Sequence, residues 1–595
     1  MKKIQFIWIS LLMIGLTVAC ERDIDSDLDT DTEIESDNDD DDDSDDDDDD
    51  SSDVIDDSGN VVDHEADSDY VWDSSDISTI TLNGSSIVVS GEGAVADASI
   101  VTISSAGNYE ISGTLSDGQI IVDTEDESIV RLILKGVDIN CSSNAPIYVE
   151  QAEKTMIVLS EGTENKVSDG SSYVSSEEDA NAPIFSKDDL TIYGDGKLTV
   201  DGNHNDGITG KDGLIIASGN ISVEAVDDGI RGKDYLIIKG GNIVVDAEDD
   251  GLKSDNDENT AKGYIAVEGG VLNITSGGDG IQAETDVIIY DGEIEIYSGG
   301  GSDAYLSSDA SAKGIKSIVS TIIYDGEITV DAADDALHSD GELIIYDGLY
   351  EIAAGDDAIH AEYDLLIASG DINITDAYEG LESALGAITI DGGNIYIKAS
   401  DDGINVAAGG GSSGGQRKSA TVTSSDYALN INGGYIYIDC DGDGLDSNDE
   451  LNINGGTMLV NSSSANSNSA LDYDGACYMN GGFLLAIGSS QMAEAPGASS
   501  TQYSVLVNFN SSMSAGTLVH IEDEDGKSVL TYKTIKTFQS VVLCSAELEK
   551  GTTYKVYTGG SSTGTVEDGL YTDGTYSPGS LYTSFAISST VTTIN

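Results

Sequence analysis

A short acidic phrase recurs between His204 and Leu445: one or two carboxylates, a small residue, then Ile or Leu. It reads Asp206-Gly207-Ile208, Asp227-Asp228-Gly229-Ile230, Asp249-Asp250-Gly251-Leu252 and Asp279-Gly280-Ile281. Lys313-Gly314-Ile315 breaks the pattern. It returns as Asp334-Asp335-Ala336-Leu337, Asp356-Asp357-Ala358-Ile359, Glu379-Gly380-Leu381, Asp401-Asp402-Gly403-Ile404 and Asp443-Gly444-Leu445. The small residue falls at 207, 229, 251, 280, 314, 336, 358, 380, 403 and 444, so five of the nine steps are 22 residues and one is 23. The longer steps carry insertions such as Gly299–Gly301 and Gly409–Gly415. Clustered carboxylates in glycine turns are what a hard, oxygen-seeking cation such as Ca2+ prefers. Asp-Gly is also good turn chemistry in its own right, and solvated turns need no metal.

A fixed period of this size predicts a repeat architecture. In the repeat from Asp228 to Asp249, Ile230 opens a short apolar patch, Tyr235–Ile238 reads as a strand, Ile243–Val245 as a strand β-branched throughout, and Gly240-Gly241 is a turn signal. Three strands in 22 residues predict one coil of an all-β parallel β-helix, because the repeat is too short for a strand-helix-strand unit. Equivalent carboxylates in successive coils then lie about 4.8 Å apart. Two such charges repel by roughly 1 kcal/mol even in water. A ladder of them must bind cations, take up protons or splay. The break at Lys313 leaves two candidate stretches, 206–279 and 334–402, with Lys313 as a built-in counter-ion between them. The candidate Ca2+ ligands are therefore Asp206, Asp227, Asp228, Asp249, Asp250, Asp279, Asp334, Asp335, Asp356, Asp357, Asp401 and Asp402. Asp439, Asp441 and Asp443 with Glu450 match an EF-hand loop in spacing, but their flanks read as strands, so they are kept only as a calcium-binding turn.

Lys2 and Lys3 precede an apolar run ending at Ala19-Cys20, which predicts a signal peptide over 1–20. Leu16-Thr17-Val18-Ala19-Cys20 resembles a bacterial lipobox, which implies lipidation at Cys20 and a membrane tie through that lipid alone. Residues 21–76 contain Asp39–Asp43 and Asp45–Asp50 and read as a disordered polyacidic tether. Acidic residues so close to a lipidated Cys also resemble the surface-export signals of some Gram-negative lipoproteins. Residues 77–200 are strand-rich without the acidic phrase, and are taken as irregular first coils and a cap; 201–495 hold the regular coils. From 496 to 595 the repeat stops and a β-rich cap or small β-domain is expected, since a solenoid must seal its ends.

The stretches Ser112–Ile120, Arg131–Ile139, Glu161–Asn165, Ile184–Ile192, Ser514–Thr517 and Tyr557–Gly564 resemble bacterial proteins with a carbohydrate-binding domain. That resemblance covers roughly 77–595. It implies a right-handed parallel β-helix with the fold of pectate lyases, Ca2+ in the helix, binding of an acidic polysaccharide such as polygalacturonate, and no established catalysis.

A net charge of −86 excludes nucleic acid as a partner. It also repels a bare polyanion, so an acidic sugar requires Ca2+ to bridge carboxylates; a neutral glucan stacking on some of the 28 tyrosines does not. A lyase would need a base, and Arg231, Lys211, Lys233 and Lys253 follow acidic turns. Lys187, Lys211 and Lys233 recur, however, as if pairing with Asp188, Asp212 and Asp234 in a structural ladder. A structural adhesin without a sugar ligand is the third reading. Cys141, Cys440, Cys477 and Cys544 lack metal spacing and are expected as buried thiols.

Overall fold

The computed structural model describes residue 60 and residues 64–173, 180–307, 310–407, 427–464 and 467–595, all within the compact unit Asp53–Asn595. The signal peptide, Cys20, most of the acidic tether and the insertion at Gly409–Gly415 lie outside the described residues. Those described form an all-β structure with long parallel sheets and a single four-residue 3-10 turn, Asp67–Tyr70.

Each regular repeat gives one strand to each of three parallel ladders. In one repeat these are Ile230–Gly232, Tyr235–Ile238 and Asn242–Ala247. Ile230–Gly232 belongs to what we call the turn ladder, which follows the acidic phrase and pairs in register from Ile208 to Leu471. Tyr235–Ile238 belongs to the middle ladder and Asn242–Ala247 to the long ladder. The turn ladder is a sixteen-stranded sheet; the other two ladders join in a 33-stranded sheet.

The recurrent Ile or Leu of the phrase points inward. Ile208, Ile230, Leu252, Ile281, Ile315, Leu337, Ile359, Leu381, Ile404 and Leu445 are fully buried and form one face of a continuous aliphatic core. The small residue before it is a steric requirement. A Cβ on Gly251 would lie 2.3 Å from Ile274 Cγ2 and 2.5 Å from the Gly280 carbonyl oxygen of the next rung.

The middle ladder explains apolar runs that alternation alone does not. In Thr155–Leu159 every residue is buried, and Tyr235–Ile238 is the same. One face packs on the core. The other, with Ile133, Met156, Val158 and Tyr193, and then Ile215, Tyr235 and Tyr264, is covered by the segment that precedes the first strand. Composition places residues 64–76 in the tether, yet they lie along the sheet as a strap. Asn60 donates to Asp286 at 2.8 Å, His64 stacks on Tyr235 at 3.9 Å and meets the Tyr264 hydroxyl at 2.6 Å, and Tyr70 and Trp72 pack edge-on to Tyr193. Glu65 is enclosed, with Lys154 at 3.9 Å and Lys239 at 3.7 Å and hydroxyls of Tyr70 and Thr191 donating to it. The strap covers apolar surface that would otherwise face water. A fragment beginning at residue 77 is therefore expected to melt lower than one beginning at 59, by several degrees, in a thermal scan by circular dichroism; equal melting would remove the strap's structural role.

At the other end, Phe483–Gly488 pairs antiparallel with Phe538–Cys544, and a six-stranded antiparallel sheet that includes Leu518–Asp523 and Thr553–Ser562 packs beyond it. Leu459, Leu485 and Ile487 of the last rungs share one core with Val505, Tyr532 and Phe538. The segment from 504 onward thus packs its apolar side chains against the last rungs. The four cysteines among the described residues, Cys141, Cys440, Cys477 and Cys544, are buried thiols.

Candidate functional site

The residue just before each small position forms an inner column: Asp206, Asp228, Asp250, Asp279, Lys313, Asp335, Asp357, Glu379, Asp402 and Asp443. The residue before that forms an outer column, with Asp227, Asp249, Asp334, Asp356 and Asp401. The inner carboxylates from Asp206 to Asp279, and Asp335 and Asp357, are buried; Asp249 and Asp356 are exposed.

One oxygen of most inner carboxylates has a structural task. It accepts the backbone N–H of the equivalent residue in the next rung: Asp279 to Asp250 at 2.8 Å, Lys313 to Asp279 at 2.8 Å, Asp357 to Asp335 at 2.9 Å and Asp443 to Asp402 at 2.6 Å. The inner Asp therefore stitches rung to rung, as turn chemistry would have it.

The second oxygen meets a third column that the sequence reading did not recognise. It is the middle residue of each turn-ladder strand, two positions after the small residue: Thr209, Arg231, Lys253, Gln282, Lys316, His338, His360, Glu382, Asn405, Asp446 and Asp472, paired in register. Arg231 lies 3.7 Å from Asp206 and also pairs with Asp255; Lys253 lies 3.1 Å from Asp228 and 2.7 Å from Asp250; Lys316 lies 3.3 Å from Asp279. Lys313 reaches Asp335 at 2.6 Å and Asp334 at 3.2 Å. His338 meets Asp335 at 2.7 Å, and His360 meets Asp357 at 3.0 Å. Much of the ladder thus carries its own counter-charge. The sequence signal for this column is its constant offset of two residues from the small position.

Among the described residues this compensation stops toward the C-terminal end. Asp402, Asp443 and Asp446 each place one oxygen within 4.8 Å of the others, and among the described residues no basic side chain pairs with them. Burial, and then neighbouring carboxylates, push Asp446 up to about 8; burial, resisted by a backbone hydrogen bond, pushes Asp402 to about 7 and Asp443 to about 6. Burial likewise raises Asp228 to about 7 against the pull of Lys253, and Glu379 to about 8. Burial alone would raise Asp335, but His338 and Lys313 hold it well below the usual carboxylate range. Two further oxygen-only clusters join the columns: Asp227, Asp228 and Asp249, and Asp334, Asp335 and Asp356. The second candidate stretch, 334–402, is therefore divided by its surroundings: Asp334–Asp357 are partnered by Lys313 and histidines, while Asp402 groups with Asp443 and Asp446.

The other expected turn does not assemble. Asp439 and Asp441 turn to Lys536 of the C-terminal segment, at 2.7 and 3.0 Å, and Glu450 is exposed at the start of a middle-ladder strand. Only Asp443 of that set joins a cluster. Contacts between rungs also involve these residues: Lys187 meets Glu150 at 2.9 Å, Lys211 lies 5.8 Å over the Phe185 ring, and Asp234 holds Lys262 at 2.5 Å.

Elsewhere on the surface, Tyr290, Tyr324 and Tyr346 stack at 5.1 Å between successive rings. The stack ends beside a depression of about 290 Å³ lined by Asp325, Asp347, Leu349, Ser369, Asp371 and Asn394. Aromatic rings beside carboxylate and amide groups offer both a packing surface and hydrogen-bond partners to a sugar.

A family model described as carbohydrate-binding domain-containing protein matches residues 97–358 and 342–475. A carbohydrate-binding domain-containing protein of Acetivibrio thermocellus is 44% identical over 128 residues, 21% of this chain and 45% of that protein. The match therefore spans less than half of that relative's length. A solved structure of a polysaccharide lyase-like protein from C. thermocellum, in a gadolinium derivative, is 36% identical with a TM-score of 0.37, covering 38% of this chain and 92% of that one. With more than half of its length matched by the family model, the chain belongs to the carbohydrate-binding domain-containing protein family.

Proposed function

We propose that this is a non-catalytic, cell-surface polysaccharide-binding protein that winds as a right-handed parallel β-helix, holds Ca2+ in its stacked Asp turns and uses that ion to recognise an acidic polysaccharide such as polygalacturonate. The observation that carries the calcium part is the Asp402–Asp443–Asp446 cluster. Three oxygen donors converge there with no described basic partner, which fits a hard cation. An ion bound there retains valences for a uronate carboxylate, which the chain's own charge would otherwise repel. The lipid at Cys20 would anchor the chain to the envelope and the acidic segment would supply reach.

The alternative of a lyase is disfavoured at two of its four candidate bases by what holds them. Arg231 is tied to Asp206 and Asp255, and Lys253 to Asp228 and Asp250. Burial works against the charge on Lys253, but the two carboxylates overcome it and keep the amine protonated well above its ordinary range. A protonated amine cannot take a proton.

Affinity electrophoresis through polygalacturonate tests this reading. Retardation in Ca2+ that disappears in chelator is expected, with at least a tenfold weaker affinity for Asp402→Asn/Asp443→Asn and no unsaturated product in ultraviolet absorbance. Binding that ignores chelator would shift the sugar contact to the tyrosine-flanked depression. Release of unsaturated product would make the protein a lyase.

A further inference from the structure

Only five histidines occur in the chain, and two of them, His338 and His360, occupy adjacent positions in the turn ladder. Their rings stack with centroids 4.7 Å apart and planes 11° apart. His360 Nδ1 lies 3.0 Å from Asp357 Oδ2 and 2.7 Å from Glu382 Oε2, the glutamate being its register partner in the next rung. His338 Nδ1 lies 2.7 Å from Asp335, and its Nε2 lies 2.9 Å from Asp340. Two overlapping donor sets result, Asp357–His360–Glu382 and Asp335–His338–His360, each with its donor atoms within 4.8 Å of one another.

We infer that Asp357, His360 and Glu382 form a site for a divalent transition-metal ion of the zinc class, with the His338 ring stacked on His360 as a positioning residue, distinct from the oxygen-only clusters assigned to Ca2+. Three observations carry it. Imidazole nitrogen beside carboxylate oxygen is the donor mixture that zinc-class ions take, whereas Ca2+ takes oxygen. Bonds of about 2.0–2.1 Å in a tetrahedral shell separate donors by about 3.3 Å, so the 2.7 and 3.0 Å contacts at His360 need to open only slightly. Lys313 engages Asp335, while among the described residues no lysine or arginine pairs with Asp357 or Glu382, which leaves this half to the metal.

The test uses the full chain saturated with Ca2+, which occupies the oxygen-only clusters, and titrates Co2+ as a spectroscopic probe. A saturable visible d–d band of a tetrahedral nitrogen-containing site is expected at one equivalent, displaced by Zn2+. The band should vanish in His360→Gln and also in His360→Lys, which keeps a positive charge but supplies no ligand at neutral pH. It should weaken at least tenfold in His338→Gln and persist in Asp402→Asn/Asp443→Asn. X-ray absorption at the zinc edge on the unaltered protein gives a readout that depends on no variant: imidazole scattering is expected in the first shell. An oxygen-only shell, or a cobalt band unchanged in His360→Gln, would overturn the assignment. Because Ca2+ is held in excess throughout, failure here leaves the polysaccharide reading standing, and failure of chelator-sensitive sugar binding leaves this site standing.

Discussion

With chelator present, the protein is expected to melt well below its own acid-side melting temperature when taken from about pH 5 to about pH 8, and Ca2+ is expected to close most of the gap at the higher pH only. Asp402, Asp443 and Asp446 titrate at about 7, 6 and 8 in the folded chain, chiefly because burial penalises their charge. Unfolded, they titrate near 4. A carboxyl raised on folding holds its proton where the unfolded chain has lost it, so its contribution to stability is fully present below about pH 4 and is lost as pH rises toward about 8. His360, raised to about 11 by Asp357 and Glu382 despite its burial, acts in the same direction from about pH 6.5 upward. Asp335 and Glu382 are lowered instead, so what they contribute is lost only on the acid side of the ordinary carboxylate range. Each unit is worth about 1.4 kcal/mol, but the three aspartates are coupled and partly hydrated, so the cluster as a whole amounts to on the order of 3–5 kcal/mol. A cation replaces the missing protons and reverses the sign. Asp402→Asn/Asp443→Asn should flatten the profile and blunt the response to Ca2+. A chelated melting temperature that stays level or climbs from about pH 5 to about pH 8 would refute the account.

Lys313→Met should be the most damaging single change in the ladder. The amine lies 2.6 Å from Asp335 and 3.2 Å from Asp334, with its side chain 13% exposed. Burial opposes its charge, yet the two carboxylates overcome that and hold it protonated well above its usual range. Removing it strands buried negative charge, which costs about 3–5 kcal/mol. Asp334, Asp335 and Asp356 already converge as an oxygen cluster, so the vacated position suits a cation. Denaturant unfolding in chelator should therefore show the full loss, and Ca2+ should recover more stability in the variant than it adds to the parent. Lys313→Arg should behave nearly as the parent. A loss below about 1 kcal/mol would place Lys313 among ordinary surface pairs.

The repeat was legible because its period is set by sterics. Gly251 admits no Cβ and Leu252 must face inward, so each rung writes a small residue, Gly or Ala, followed by Ile or Leu. The stacking of Asp227, Asp228 and Asp249 followed from that period. What the period could not convey was which side chain answers each carboxylate, because Arg231, Lys253, Lys316, His338 and His360 differ in type while sharing one offset. The charge balance of the ladder is thus a property of columns and not of any local motif. Spacing also misled at Asp439 and Asp441: a matching loop pattern says nothing of Lys536, 97 residues after Asp439, which claims both. The buried run at Met156–Leu159 requires a second covering layer, but nothing local identifies Tyr70 and Trp72 as that layer, since they follow a highly acidic stretch.

The strap has a mechanical consequence. The chain enters its first strand at Ser78, yet Asn60 is fastened at Asp286, and Glu65, Tyr70 and Trp72 are fastened at Lys239 and Tyr193 between. The strap therefore runs back over the middle-ladder strands from Asp286–Ile289 to Val130, a span of about 29 Å at the usual strand spacing. Tension applied upstream of residue 60 enters the molecule part-way along its length instead of at its terminal strand. Load is expected to release one fastening at a time, first the Asn60 hydrogen bond, then the His64 stack, then the enclosed Glu65, before any hydrogen bond of the first strand bears force. The strap would then serve as a sacrificial seam that lengthens under pull while the ladders stay intact.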